Sequence, residues 1–222
     1  MSVPAKTLAD DALSPTMEKI LVAAEAEFAA RGFDGAGMKA IANRGEVSQA
    51  LLHYHFGTKE RLYADVIAHR SRKINAERRA LLEAVDLTAP DALDLIFEAL
   101  LRPPPDGPRG ARPYARIFVG LVVGQERDQG LVREHYDPTA LTFIHAIAET
   151  LPGANRAIAA QAYSMALGAL ISVIARDGRV ERLMGKDGQT RDVEDILAAL
   201  VSFCKGGVLA LAASGAPDPD NI

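Results

Sequence analysis

A chain of 222 residues that is 49% hydrophobic, 5% aromatic and without Trp buries a core of Leu, Ile, Val and Ala, the composition of helical proteins. Its single cysteine, Cys204, excludes an internal disulfide framework and fits a reducing compartment. The net charge of −4 argues against general affinity for polyanions, but it is unevenly spread: residues 36–79 hold nine Lys/Arg against four acids, a local +5 that leaves −9 for the remainder.

The opening MSVPAKTLADDALSP carries two Asp and no apolar run, unlike a secretory leader. The greasiest segment, 157–175, is interrupted by Gln161 and Ser164 and reads as a buried helix rather than a membrane span. A cytoplasmic location is the expectation. Ser14 is placed to cap a first helix with Pro15 at its first position, and Ile20, Leu21, Ala24 and Phe28 follow at helical spacing. Gly32 supplies a left-handed stop, with Phe33 packing back. A loop at 34–37 leads to a short helix, Met38–Arg44, with Ile41 inward. After a turn at Gly45-Glu46, Ser48 caps a second short helix that runs to Phe56, and Leu52 and Phe56, four apart, share its inner face. Gly57 ends it.

Thr58 then caps a longer helix, with Glu60 in its first turn, that continues through Leu62, Val66 and Ile67 to about Val85. Asp91–Leu101 reads as helix and RPPPDGPRGARP (102–113) as loop. Helices are expected over Tyr114 to about Asp128, over Leu131–Leu151 with a bend near Pro138, over Asn155–Arg176 and over Val193–Ala213. A polar loop at 177–190 separates the last two. No strand pattern and no repeat is present. The fold class is all-α. It comprises a flexible arm (1–13), a three-helix N-terminal domain (14–60), a helical-bundle domain (61–213) and a flexible tail (214–222).

Two short helices joined by a tight turn and braced by a longer one form a helix-turn-helix. The first lies across the phosphate backbone and the second enters the major groove. With Ile41, Val47 and Leu52 locking the pair, Gln49, Ala50, His53 and Tyr54 face outward.

MKAIANRGEVSQALLHYHFGTKERLYADVI resembles the DNA-binding signature of tetracycline-repressor-like (TetR) regulators: an Ile-Ala pair, an Ala-Gly-Val-Ser turn, Leu-Tyr-x-His-Phe, then Ser-Lys-Glu-x-Leu. The match covers about 45 residues with the first helix included. FVGLVVGQE and FIHAIAETLPG resemble, more faintly, one subgroup of the family's ligand-binding domains. The resemblance implies a DNA-binding regulator with Lys39 and Lys59 on phosphates. It places Ser48, His53, His55 and Thr58 at the DNA backbone or as helix caps, with His55 partly structural. It puts Gln49, Ala50 and Tyr54 nearest base edges, Gln49 being suited to adenine. Three departures stand out. Glu46 occupies the family's usual Gly, so either the turn is shifted or Glu46 carries a left-handed backbone. The usual Tyr falls on His53, with Tyr54 one place on. Gly37 replaces the usual Ser/Thr cap.

In the larger domain, residues 157–175 are apolar nearly all round, and the last helix carries two apolar faces, around Leu200 and around Phe203. Together they imply a homodimer through a four-helix interface, with Ile158, Leu170, Ile174, Ile196, Leu200, Phe203 and Gly207 as candidates. Gly206-Gly207 in mid-helix costs about 1 kcal/mol each, which close approach of another helix would justify. A pocket for a small, mostly apolar effector draws on Tyr114, Phe118, Phe143 and Met165, with Arg116, Gln125 and His145 as polar contacts. By resemblance the expected role is ligand-released repression at a pseudo-palindromic site on double-stranded DNA. The rival readings are a helical enzyme or a protein-binding adaptor. The five His and lone Cys show no metal-ligand spacing and no phosphate loop or nucleophile motif is present, so no cofactor, metal or catalytic residue is expected.

Overall fold

The computed structural model describes residues 13–102, 107–122, 124–151, 153–175, 179–185 and 192–214. Among them every regular element is an α-helix. In chain order these are α1 (Pro15–Gly35), α2 (Met38–Arg44), α3 (Gln49–Phe56), α4 (Lys59–Glu83), α5 (Ala92–Leu101), α6 (Gly107–Val122), α7 (Glu126–His135), α8 (Asp137–Thr150), α9 (Arg156–Ala175), α10 (Arg179–Met184) and α11 (Val193–Ser214). The arm at 1–12 and the tail at 215–222 lie outside the described residues.

Local signals set the first four elements. The Ser14 hydroxyl accepts from the Met17 N–H at 3.3 Å, and α1 bends at Gly32, whose φ of 69° breaks its helical run before Phe33. Phe33 does pack back: its ring meets Tyr63 edge-on at 5.1 Å, and Tyr63 meets Phe28 at 5.0 Å. Burial in this cluster pushes the Tyr63 phenol up to about 12, with the charge of Asp128 adding to it.

Past α5, three boundaries differ from the sequence reading. Helix α6 starts at Gly107, inside the expected loop, and carries Pro113. It ends at Val122, because Gln125 caps a separate α7 through a reciprocal capping box with Asp128. The expected bend near Pro138 falls at Tyr136 (φ −119°, ψ −38°), which ends α7 and begins α8, and Pro138 sits in the first turn of α8. A short α10 lies within the expected 177–190 loop.

Two apolar clusters organise the chain. The first joins Ile20, Leu21, Phe28, Ile41, Leu52, Phe56, Leu62 and Ile67 of α1–α4 to Tyr114, Ile117, Leu121 and Tyr136. The core under the short helices therefore continues without a seam into α6 and the α7–α8 junction. The second cluster joins α5, α8, α9 and α11 through Ile96, Phe97, Phe143, Ile147, Ala159 and Val208. Arg156–Ile174 and Glu194–Ser214 are long and apolar enough to cross a membrane, with mean hydropathies of 1.7 and 2.0. The sequence reading counted Gln161 and Ser164 as interruptions, which does not hold once polar residues are averaged over the helix. Both helices pack on their neighbours along one face and expose apolar residues on the other.

Candidate nucleic-acid interface

The turn between α2 and α3 is set by packing and one unusual backbone. Helix α2 starts at Gly37 with no side-chain cap. Gly45 closes α2 in a right-handed conformation (φ −80°, ψ 0°). A Cβ there would lie 3.3 Å from the Ala23 Cβ and 3.4 Å from the Ile41 carbonyl oxygen, so α1 approaches too closely for a side chain to fit without movement. The left-handed position of the turn falls on Glu46, at φ 49°. Of the two alternatives, then, the turn keeps its place and Glu46 carries the strain. Its carboxylate accepts from the Lys19 ammonium at 2.6 Å, and that hydrogen bond, with the lysine charge, holds the Glu46 carboxyl below the usual carboxylate range.

Helix α3 has only eight residues and depends on its ends and inner face. The Ser48 hydroxyl accepts from the Leu51 N–H at 3.1 Å, and Leu52 and Phe56 are buried in the first cluster. Gln49, Ala50, His53 and Tyr54 are exposed, Tyr54 to 82%. His53 Nδ1 lies 2.7 Å from the Gly57 carbonyl, which only accepts, so Nδ1 carries a proton and donates to it. His55 is half-buried and meets Tyr54 edge-on at 5.2 Å. Thr58 caps α4, accepting from the Arg61 N–H at 3.2 Å.

The local +5 does not gather on this face. Lys59, expected on a phosphate, donates from Nζ to the carbonyls of Phe33 (2.9 Å), Ala36 (3.2 Å) and Asp34 (3.4 Å), and lies 4.5 Å from the Phe33 ring centre. It ties the start of α4 to the end of α1. Arg44 pairs with Glu27 and Arg61 with Asp65. Arg70 is buried and pairs with Glu25 at 3.0 Å. Arg79 donates to Thr139. Lys39 is exposed and has no such partner among the described residues.

In the larger domain Tyr114 and Phe118 line a cavity between α4, α6 and α9, with Ile74, Arg78 and Tyr136, none of which the sequence reading named for it. Leu170 and Ile174, candidates for the dimer face, line the same cavity. The other pocket candidates lie elsewhere. Phe143 is fully buried in the second cluster, and Arg116 is exposed. Gln125 caps α7, and His145 is an exposed partner of Glu149 at 3.3 Å. Met165, 62% exposed, lies on an α9–α11 recess with Phe203 and Gly207. Of the remaining interface candidates, Ile158 and Leu200 are buried and Ile196 is half-buried. One signal for Arg78 stood in the sequence: it follows Ile74 by four residues and so shares the face of that apolar residue.

Two family models match this chain: residues 20–66 fit "Bacterial regulatory proteins, tetR family", and residues 94–207 fit "Tetracyclin repressor-like, C-terminal domain". The chain is 38% identical over 69 residues to the HTH-type transcriptional activator FasR of Mycolicibacterium smegmatis, a match spanning 31% of this chain and 32% of that protein's length. In fold it is similar to a TetR-like transcriptional regulator from Rhodococcus sp. RHA1 (TM-score 0.65, 21% identity, 90% of this chain and 98% of that one). It is similar also to a transcriptional regulator from Saccharomonospora viridis in complex with choline (TM-score 0.60, 19% identity, 87% and 97%). With its helix-turn-helix built as above and both domains matched, the chain belongs to the TetR family of bacterial regulatory proteins: it is a transcriptional regulator with a DNA-binding and a ligand-binding domain, and not an enzyme.

Proposed function

We propose that this protein is a cytoplasmic, ligand-released repressor that binds a pseudo-palindromic operator as a homodimer. The observation that carries the reading is the outward set Gln49, Ala50, His53 and Tyr54 on a capped helix whose other face is locked by Leu52 and Phe56. Gln49 suits adenine, and the exposed His53 stands beside it on the same helix face. Ser48, His55 and Thr58 support that helix or meet the DNA backbone, and Lys39 meets a phosphate. The working division is 14–60 for DNA and 61–213 for ligand and dimerisation.

The dimer rests on α9 and α11. Phe203 is 72% exposed, Gly206, Gly207 and Ala210 are exposed beside it, and Phe203, Gly207 and Ala210 border with Met165 a recess of about 520 Å³. A second copy covering that face would bury the apolar side of both helices and give the mid-helix glycines their reason. The two recognition helices would then address major grooves about 34 Å apart. The effector is a small, mostly apolar molecule held between α4, α6 and α9. It acts by favouring one spacing of the recognition helices over another. Repression follows the family resemblance; FasR, the relative named above, is an activator.

Selection of bound duplexes from a random DNA pool tests the reading. Recovery of a two-fold symmetric site, with Gln49→Ala changing the preferred bases, is the expected result. An unstructured set of sequences, or a uniform loss of affinity with Gln49→Ala, would overturn it. Transcription from the selected site with and without the protein fixes the sign of regulation.

A further inference from the structure

The α4–α6–α9 cavity contains a charge that the fold leaves unsatisfied. Arg78 sits on α4 one turn beyond Ile74, and it is 91% buried by its 9% exposure. Its Nε has no hydrogen-bond partner, and no ion pair reaches it among the described residues. The acid beside it in sequence, Glu77, faces Arg102 at 3.7 Å. An arginine cannot shed its proton at any physiological pH, so burial leaves a full positive charge in place. Burial pulls its affinity for that proton down, with the Glu77 carboxylate opposing. An isolated buried charge of this kind is costly unless something pairs with it.

The walls around it are apolar: Ile74, Phe118, Leu170 and Ile174, with the joined hydroxyls of Tyr114 and Tyr136 at one side. Burial raises both phenols, so neither supplies a negative charge. Among the described residues no carboxylate lines the cavity. The cavity volume is about 60 Å³, and the cavity opens to solvent. Resting on the reading of this domain as the effector domain, we propose that the effector is a monoanionic carboxylate with an apolar body, its carboxylate held by Arg78 and its body by Ile74, Phe118, Leu170 and Ile174.

The chemistry follows from the inventory. A guanidinium offers a planar fork that matches a carboxylate with two parallel N–H···O bonds, and the low-dielectric wall strengthens them. A phosphate dianion would need more donors than one arginine and two phenols provide. A neutral apolar molecule would fill the recess but leave the Arg78 charge as it is. A cation would be repelled. The site is also wired to the DNA-binding helices. Arg78 lies nineteen residues beyond Lys59 on α4, about 29 Å along one continuous helix. Tyr114 stacks on Arg70 at 5.5 Å, and Arg70 pairs with Glu25 of α1.

The test uses the full chain with sodium hexanoate, 1-hexanol and hexylamine as probes, calorimetry for binding, and a duplex recovered by selection for release. Hexanoate is expected to bind at least tenfold more tightly than hexanol, and hexylamine not at all. In Arg78→Met the hexanoate preference is expected to disappear, hexanol binding to persist, and the thermal midpoint without any probe to equal or exceed that of the parent. Arg78→Lys should recover part of the preference. Equal binding of hexanoate and hexanol to the parent overturns the carboxylate assignment while leaving the cavity as an effector site. Unchanged hexanoate affinity in Arg78→Met, or a midpoint several degrees lower, overturns it as well, since Arg78 would then be a structural residue. Hexanoate binding that depends on Arg78 but leaves duplex affinity unchanged supports the anion site and overturns the effector reading of the domain.

Discussion

Replacing Lys59 with Met separates two roles that the sequence alone conflates. Methionine keeps the apolar stem above the Phe33 ring and removes the ammonium, with its bonds to Phe33 and Ala36 at 2.9 and 3.2 Å and the longer one to Asp34 at 3.4 Å. The bond at 3.4 Å adds little. Lys59 is half-buried, so the freed carbonyls regain water, and each of the two short bonds then contributes about 1 kcal/mol net. The loss of about 2 kcal/mol corresponds to a thermal midpoint lower by about 4–8 °C for a chain of this size. Because no phosphate contact is removed, the slope of log affinity for the selected duplex against log salt should run parallel to the parent's. Differential scanning calorimetry and fluorescence anisotropy at several salt concentrations read the two quantities. A midpoint within about 1 °C of the parent, together with a slope shallower by about 2 per dimer, would refute the argument and put Lys59 on a phosphate.

Lys39→Ala should give the opposite pair of results: an unchanged midpoint and a salt slope shallower by about 2 per dimer, read in the same anisotropy titrations. Glu46→Gly relieves the left-handed backbone at φ 49° and gives up only an exposed pair with Lys19. It should raise the thermal midpoint by about 2–4 °C, and a lower midpoint would show that the Lys19 contact dominates the turn. His69 is pushed down to about 4, first by burial and then by the Lys73 charge. It stays neutral in the fold but takes a proton in the unfolded chain below about 6.5, so its contribution is complete above 6.5 and lost as pH falls towards 4. His69→Gln should therefore flatten the fall in midpoint between pH 7 and pH 5 by a few degrees; an acid limb as steep as the parent's would show that other groups carry it.

The sequence by itself determined what one turn of chain can decide. The spacing of Ser14, Ser48 and Thr58 fixes three helix starts, because a capping hydroxyl reaches only the N–H groups of the next few residues. Leu52 and Phe56, four apart, set which face of α3 turns inward, and so which residues are left for base edges. Even the left-handed backbone at Glu46 was one of two outcomes legible at that position. What only the tertiary structure decided was the use of long charged side chains. Lys59 finds carbonyls more than twenty residues away, Arg70 finds Glu25, and the Arg78 Nε finds no partner among the described residues. Each arginine stood one turn beyond an apolar residue, Val66 or Ile74, but which partner it meets depends on how α1 and α6 cross α4. The helix breaks at 122–126 and at Tyr136 belong to the same class, since they bring Tyr136 beside Tyr114 to form the cavity wall. A side chain that spans several bonds chooses among partners brought near by packing, and packing is a property of the whole chain rather than of any local pattern.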